Sequence, residues 1–189
     1  KNIEIINNDI FNLIKKKNLG KNIIVFGNLP YNISTKILAS LIMLKKWPPW
    51  YDVLILMFQK EVAERIIAKT KTSQFGRLSI LSNWRLEIKK HFDISKNCFF
   101  PRPKVDSTLL SFKPKKNYLF NLKNPKNLEI VTRVLFSNRR KMIKKNLNIL
   151  FVNKKSIIND LNIDLSKRPE ELNNEIYYKI AMEYEKLFH

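Results

Sequence analysis

Cys98 is the only cysteine in the chain of 189 residues, which rules out an internal disulfide and a cysteine-built zinc site. Histidine is almost as rare, with only His91 and His189, so no metal centre is expected. Glycine is confined to Gly20, Gly27 and Gly76, which form no cluster. A glycine-rich loop that lets backbone approach a dinucleotide-type ligand is therefore missing from this stretch. No apolar run approaches the roughly 18 residues of a spanning helix. The strongest, residues 53–58, has the length of a strand, and no secretory signal is visible. Acidic residues number 16 against 36 Lys and Arg, a net charge of +20. Such an excess favours a polyanion partner, either nucleic acid or an anionic membrane surface. The chain is rich in Lys, Asn and Ile together, as an AT-rich genome would make it, but that bias alone would raise Asp and Glu as well. A lone cysteine suits a reducing compartment, and a cytoplasmic location is expected.

The chain is organised around one stretch. The apolar run Ile23-Ile24-Val25-Phe26 leads into Gly27-Asn28-Leu29-Pro30-Tyr31-Asn32-Ile33 and then an amphipathic segment opening at Ser34. That reads as strand, tight loop and helix, with Ser34 as the expected cap and Ile37, Leu38, Leu41 and Ile42 on the buried face. In an open parallel sheet the loops after the strands hold the ligand. Asn28 offers an amide oxygen and an amide NH2. Pro30 fixes its own φ and pushes Leu29 away from helix, so the Leu29 carbonyl can face outward. Tyr31 adds a flat ring. Two oxygens and a ring match the exocyclic amine of a planar base: both N–H groups are held, and the nitrogen lone pair is drawn out of conjugation. The same residues also suit a plain turn shaped by an Asn and a Pro.

The rest of the chain fits around this loop. Residues 3–6 read as a short strand, with Asp9 just past its end as either a ligand-site acid or a helix cap. Trp47-Pro48-Pro49-Trp50 breaks the first amphipathic helix, and its rings suit loop packing better than RNA contact. Residues 53–58 read as a buried parallel strand, and Val62, Ala63, Ile66 and Ile67 mark a helix. A polar, basic loop at 69–74 precedes Arg77, a candidate phosphate contact or a solvated side chain. Residues 78–83 read as helix, 84–92 as a strand and 105–112 as another. Between these strands, Pro101 and Pro103 stiffen a loop presenting Phe99 and Phe100. One of these rings is expected to pack and the other, Phe99, to stack. The polar stretch 113–117 marks a boundary, giving domains at 1–116 and 117–189. The second domain is helical, with a break near Ser137 and Asn138 and a new helix opening with Arg139, Arg140 and Lys141 and continuing through Lys144. Basic residues at a helix start oppose its dipole, so a polyanion partner is the better explanation.

The quoted motifs carry a resemblance. Residues 28–35, Asn-Leu-Pro-Tyr-Asn-Ile-Ser-Thr, resemble motif IV of the ribosomal RNA adenine N6-dimethyltransferases. Residues 59–62 and 75–79 resemble the family's next two blocks, and 99–107, Phe-Phe-Pro-Arg-Pro-Lys-Val-Asp-Ser, resembles its motif VIII. Residues 138–141 and 168–172 resemble its C-terminal domain, so nearly the whole chain is covered in order. The resemblance implies an α/β fold: a partial Rossmann-like class I methyltransferase sheet followed by a small all-helical domain. It implies S-adenosylmethionine as methyl donor, held in part by Asp9 and Asn28. It places Asn28, Leu29, Pro30, Tyr31 and Phe99 at the target adenine, with Tyr31 and Phe99 on opposite faces of the base. It implies small-subunit (16S) ribosomal RNA in the immature 30S subunit as partner, a monomer, and no membrane. Arg77, Lys104, Arg139, Arg140, Lys141 and Lys144 are the candidate RNA contacts. Large-subunit adenine methylation and non-catalytic subunit assembly are the alternatives. The family's glycine-rich loop and ribose-binding acid lie upstream of the Asp9 motif. The expectation is therefore a chain lacking two strands and half the cofactor site, with residues 3–6 left unpartnered and no cofactor binding by these residues alone.

Overall fold

The computed structural model describes residues 3–15, 22–152 and 154–187, with only the backbone at Lys155. Its framework is a four-stranded mixed sheet: β1 (Ile24–Asn28), β2 (Val53–Gln59), β3 (Leu86–Ile94) and β4 (Ser107–Pro114), in the order β1-β2-β4-β3. β1 and β2 run parallel, with Asn28 opposite Met57. β4 lies antiparallel to both β2 and β3, and Ser107 stands opposite Gln59 on one side and Ile94 on the other. The ends at Asn28, Gln59 and Ile94 and the start at Ser107 therefore share one rim of the sheet, and the connecting loops gather there.

Parallel pairing needs a crossover, and α2 (Ser34–Ile42) supplies it by burying Ile37, Leu38, Leu41 and Ile42. Its N-cap is Ile33. Ser34 is the first helical residue, and its hydroxyl, buried, donates to the Tyr31 carbonyl at 3.1 Å; the expected Ser34 cap is not formed. α3 (Lys60–Ile67) and α4 (Arg77–Arg85) follow β2. Trp84 and Arg85 end α4 and are buried, so β3 begins two residues later than the alternation suggested. β4 likewise begins at Ser107 rather than Val105. The Trp47 and Trp50 rings serve packing: their indole N–H groups donate to the Lys115 and Ile14 carbonyls.

The expected strand at residues 3–6 is absent: these residues form no regular element, and Ile3 and Ile5 are exposed. A strand exists only against a hydrogen-bonded neighbour, and no described residue pairs with this one. β1 consequently forms one edge of the described sheet, with Ile24 and Phe26 exposed. Beyond residue 116 the chain is helical: α5 (Lys126–Leu135), α6 (Lys144–Leu150), α7 (Lys155–Asp160) and α8 (Asn174–Lys186). The break falls near Ser137, as a 3-10 turn at Phe136–Asn138, but helix resumes only at Lys144. Arg139, Arg140 and Lys141 therefore lie in the connection and face no helix dipole of their own. α5 and α8 pack on α4 around one continuous core, and the Tyr178 hydroxyl donates to the Ile80 carbonyl at 3.0 Å. The buried Glu185 carboxylate accepts the Lys123 and Asn124 backbone N–H groups and the Asn127 amide, ordering the entry to α5. Among the described residues no helix is long and apolar enough to cross a membrane.

Candidate active site and nucleic-acid interface

The loop after β1 is shaped by its own backbone. Pro30 O accepts the Ile33 N–H at 3.1 Å, and Tyr31 O accepts the Ser34 hydroxyl. The Leu29 carbonyl takes part in none of these turn bonds, and the exposed Asn28 carboxamide bonds to no described residue. Two oxygen acceptors are thus left open on a turn in which the Pro30, Tyr31 and Ile33 carbonyls are engaged. Gly27 allows this turn to close: a Cβ there would stand 2.7 Å from Leu56 Cδ2 and 2.9 Å from Leu29 Cδ2.

Tyr31 is half-buried, and its hydroxyl lies 2.8 Å from the Ser107 hydroxyl at the start of β4. Ser107 is fully buried, so this bond fixes the ring against the sheet rim. The loop carrying Phe99 reaches the same rim. Its two ends are tied together where the Lys96 N–H donates to Asp106 Oδ1 at 2.9 Å, and the Asp106 carbonyl accepts the Lys60 N–H at 2.9 Å. Phe99 is half-buried and Phe100 wholly exposed. Neither ring joins the hydrophobic core, so the expectation that one of them packs there is corrected. A cleft of about 380 Å³ opens between the start of α3 and the foot of this loop, lined by Gln59, Lys60, Glu61, Glu64, Lys96, Val105 and Asp106.

Asp9 accepts the Phe11 N–H through Oδ1 at 2.7 Å and begins α1 (Ile10–Lys15), which is the cap geometry. Lys36, in the first turn of α2, sits 4.9 Å over the Phe11 ring. That contact sets the start of α1 beside the start of α2, and hence Asp9 on the Asn28 side of the sheet. Its second oxygen has no described partner.

At the far side of the rim, hydrogen bonds from Lys90 and from Thr108 pull the Asp93 carboxyl down to about 2. The same carboxylate lies 3.4 Å from Lys60 Nζ. It therefore anchors Lys60 where β2 passes into α3.

The model of the family described as ribosomal RNA adenine dimethylase matches residues 1–186. This chain belongs to the ribosomal RNA adenine dimethylase family. It is 51% identical over 98% of its length to the ribosomal RNA small subunit methyltransferase A of Pelagibacter ubique (strain HTCC1062), covering 70% of that protein. It is 40% identical over 84% of its length to the protein of the same name from Nitrobacter winogradskyi, covering 55% of it. Among solved structures it is similar to a dimethyladenosine transferase from Plasmodium falciparum, with a TM-score of 0.76, 27% identity, 92% of this chain and 70% of that one. The 23S rRNA methyltransferase ErmE shares the fold, with a TM-score of 0.62 at 17% identity over 98% of this chain and 72% of that one.

The candidate RNA contacts of this chain divide. Arg139 is engaged internally: its Nε pairs with Glu170 at 2.7 Å, and its Nη2 donates to the Ser73 carbonyl. The Lys71 N–H also donates to the Glu170 carbonyl, so Arg139 clasps the 69–74 loop to the helical region rather than facing solvent freely. Arg140, Lys141, Lys144 and Lys104 are exposed. Lys141 and Lys144 line an open cleft of about 540 Å³ with Met142, Lys145 and Asn146. Arg77 is half-buried at the start of α4, with its Nε enclosed and unpaired. Ser107, Asp106 and Glu185 were not singled out by sequence reasoning. The first two stand directly after the Pro-x-Pro-x-Val run, where a short polar pair opening a strand is a usable signal for a loop tie. Glu185 sits in an ordinary charged helix, and nothing local marks it.

Proposed function

We propose that the protein transfers methyl groups to N6 of two adjacent adenines near the 3′ end of small-subunit (16S) ribosomal RNA, acting on the immature 30S subunit as a cytoplasmic monomer. The observation that carries the reading is the pair of unengaged acceptors, the Asn28 carboxamide oxygen and the Leu29 carbonyl, beside a Tyr31 ring fixed by Ser107. The relatives named for small-subunit RNA, at 40–51% identity, support that substrate over large-subunit RNA.

Asn28 and Leu29 accept the two N6–H bonds, so the lone pair leaves conjugation with the purine and is free to face the methyl carbon. Tyr31, with Phe99 across the base, holds the extruded adenine. Stacking of about 1–3 kcal/mol per base is of the size needed to offset a few kcal/mol of unstacking. S-adenosylmethionine would supply the electrophilic methyl group, its S–CH3 bond breaking as the N6–C bond forms so that the neutral thioether, S-adenosylhomocysteine, leaves. Asp9 and Asn28 fit one flank of a site for it, since each presents an oxygen without a described partner on the same side of the sheet. With the amine aligned, the barrier falls through positioning and fixed dipoles, and the N6 proton leaves to solvent. Arg140, Lys141, Lys144 and Lys104 engage phosphates and set the register of the RNA, with Arg77 at the rim.

The test is methyl transfer from labelled S-adenosylmethionine to isolated immature small and large subunits, with the modified nucleoside identified by mass spectrometry. N6,N6-dimethyladenosine in small-subunit RNA alone is expected. Labelling of the large subunit alone, or of neither with the RNA still bound, would replace this reading with one of its two alternatives.

A further inference from the structure

The geometry points to Asp106 and Ser107 as positioning residues that set the spacing of the two rings around the target base; this rests on the adenine-clamp reading above. Two adjacent residues do two separate tasks. Ser107 holds the Tyr31 hydroxyl at 2.8 Å, and Asp106 closes the 96–106 loop through the Lys96 N–H at 2.9 Å. The Asp106 carbonyl, accepting the Lys60 N–H, seats the pair against the end of β2. Because Ser107 is buried and paired in register with both Gln59 and Ile94, it cannot shift without disturbing three strands. One ring is thus tied to residue 107 and the loop of the other to residue 106. Their separation is inherited from the sheet and does not depend on RNA arriving. Neither side chain touches the base; both act through the rings.

The test measures steady-state methyl transfer to immature small subunits by the full-length gene product. Tyr31→Phe keeps the ring and removes only the hydroxyl. Together with Ser107→Ala it should lower kcat about 5- to 10-fold, the value of one such bond, with KM within about twofold. The double variant should be no slower than either single. Asp106→Ala should also lower kcat, while Asp106→Asn, which retains Oδ1, restores it. Lys96→Pro removes the donor at the first position of a 3-10 turn, where proline fits, and should match Asp106→Ala. Thermal unfolding reports any variant that fails to fold; Tyr31→Phe and Asp106→Asn are the mildest and decide the matter alone. Wild-type kcat for Tyr31→Phe, multiplying effects in the double variant, or Asp106→Asn as slow as Asp106→Ala would overturn the inference. An Asn28→Ala control separates the two levels: full turnover there sinks the adenine-amine reading itself, whereas its loss beside an unaffected Tyr31→Phe sinks only the positioning role.

Discussion

Arg85 is a buried cation at the end of α4. It is 1% exposed, and its guanidinium carbon lies 3.9 Å from the Trp84 ring, 4.8 Å from Trp47 and 5.5 Å from Tyr118. Its Nη1 donates to the Leu44 carbonyl at 2.8 Å and the Ile42 carbonyl at 3.2 Å. Ile42 ends α2, so the charge sits where that helix leaves its last carbonyls unpaired and its dipole is negative. Burial pulls the Arg85 pKa down, opposed by Tyr118 and Tyr51. Replacing Arg85 by Met keeps most of the volume and removes the charge. The lost terms are about 2 kcal/mol for a cation at a partly buried helix end and about 2 kcal/mol for desolvated cation–π contacts. The buried, unpaired Nε already costs wild type about 1 kcal/mol. The net expectation is a loss of about 3 kcal/mol, or roughly 6–12 °C in Tm for a chain of this size. Urea unfolding followed by circular dichroism measures it. An Arg85→Met variant within about 0.5 kcal/mol of wild type would refute the reasoning, because burial of the charge would then have cost as much as its contacts return.

Other expectations follow from the same contacts. Gly27→Ala presses a methyl into Leu56 and Leu29 and should cost about 1–3 kcal/mol by overpacking; denaturant titration checks it. Asp93 is held at about 2 against an ordinary 3.8, so its stabilising contribution is present above about pH 4 and is lost as pH falls toward 2. Asp93→Asn should flatten that acid limb of the stability curve, and an unchanged limb would show that the Lys90 and Thr108 contacts do not matter to stability. Replacing Arg140, Lys141 and Lys144 together by Gln should weaken RNA binding and reduce its salt dependence by roughly 2–3 in log–log slope. Arg139→Gln should instead lower Tm with little change in slope, since its partners are Glu170 and Ser73.

The sequence was most legible where a local pattern and a tertiary role coincide. The run at 23–26, the turn at 28–33 and the apolar face of α2 are written in adjacent residues, and β1, its loop and α2 follow them. The apolar run 53–58 became β2, an inner strand whose Leu54, Leu56 and Phe58 enter the core while Val53 and Ile55 on its other face are only half-buried. Other features were decided by distant groups. Residues 3–6 have strand-forming side chains but no neighbour to pair with among the described residues. Arg85 looked like one member of an alternating strand, yet three rings contributed by residues 47, 84 and 118 make it the buried end of a helix. Arg139 looked like its basic neighbours until Glu170, 31 residues away, claimed it. At the candidate site Asn28, Leu29 and Tyr31 were legible because one loop holds them all. The tie from Tyr31 to Ser107 spans 76 residues, and nothing near either residue names its partner.

The central claim is that Asn28 and Leu29 hold the adenine amine, and one paired measurement tests it most directly. Single-turnover methyl transfer and RNA affinity are compared for wild type and Asn28→Ala in the full-length gene product. Loss of one fixed polar group that acts on the reacting atoms should slow transfer by about 10²–10³, while RNA affinity stays within about twofold because the phosphates are held elsewhere. Transfer at the wild-type rate by Asn28→Ala would contradict the account.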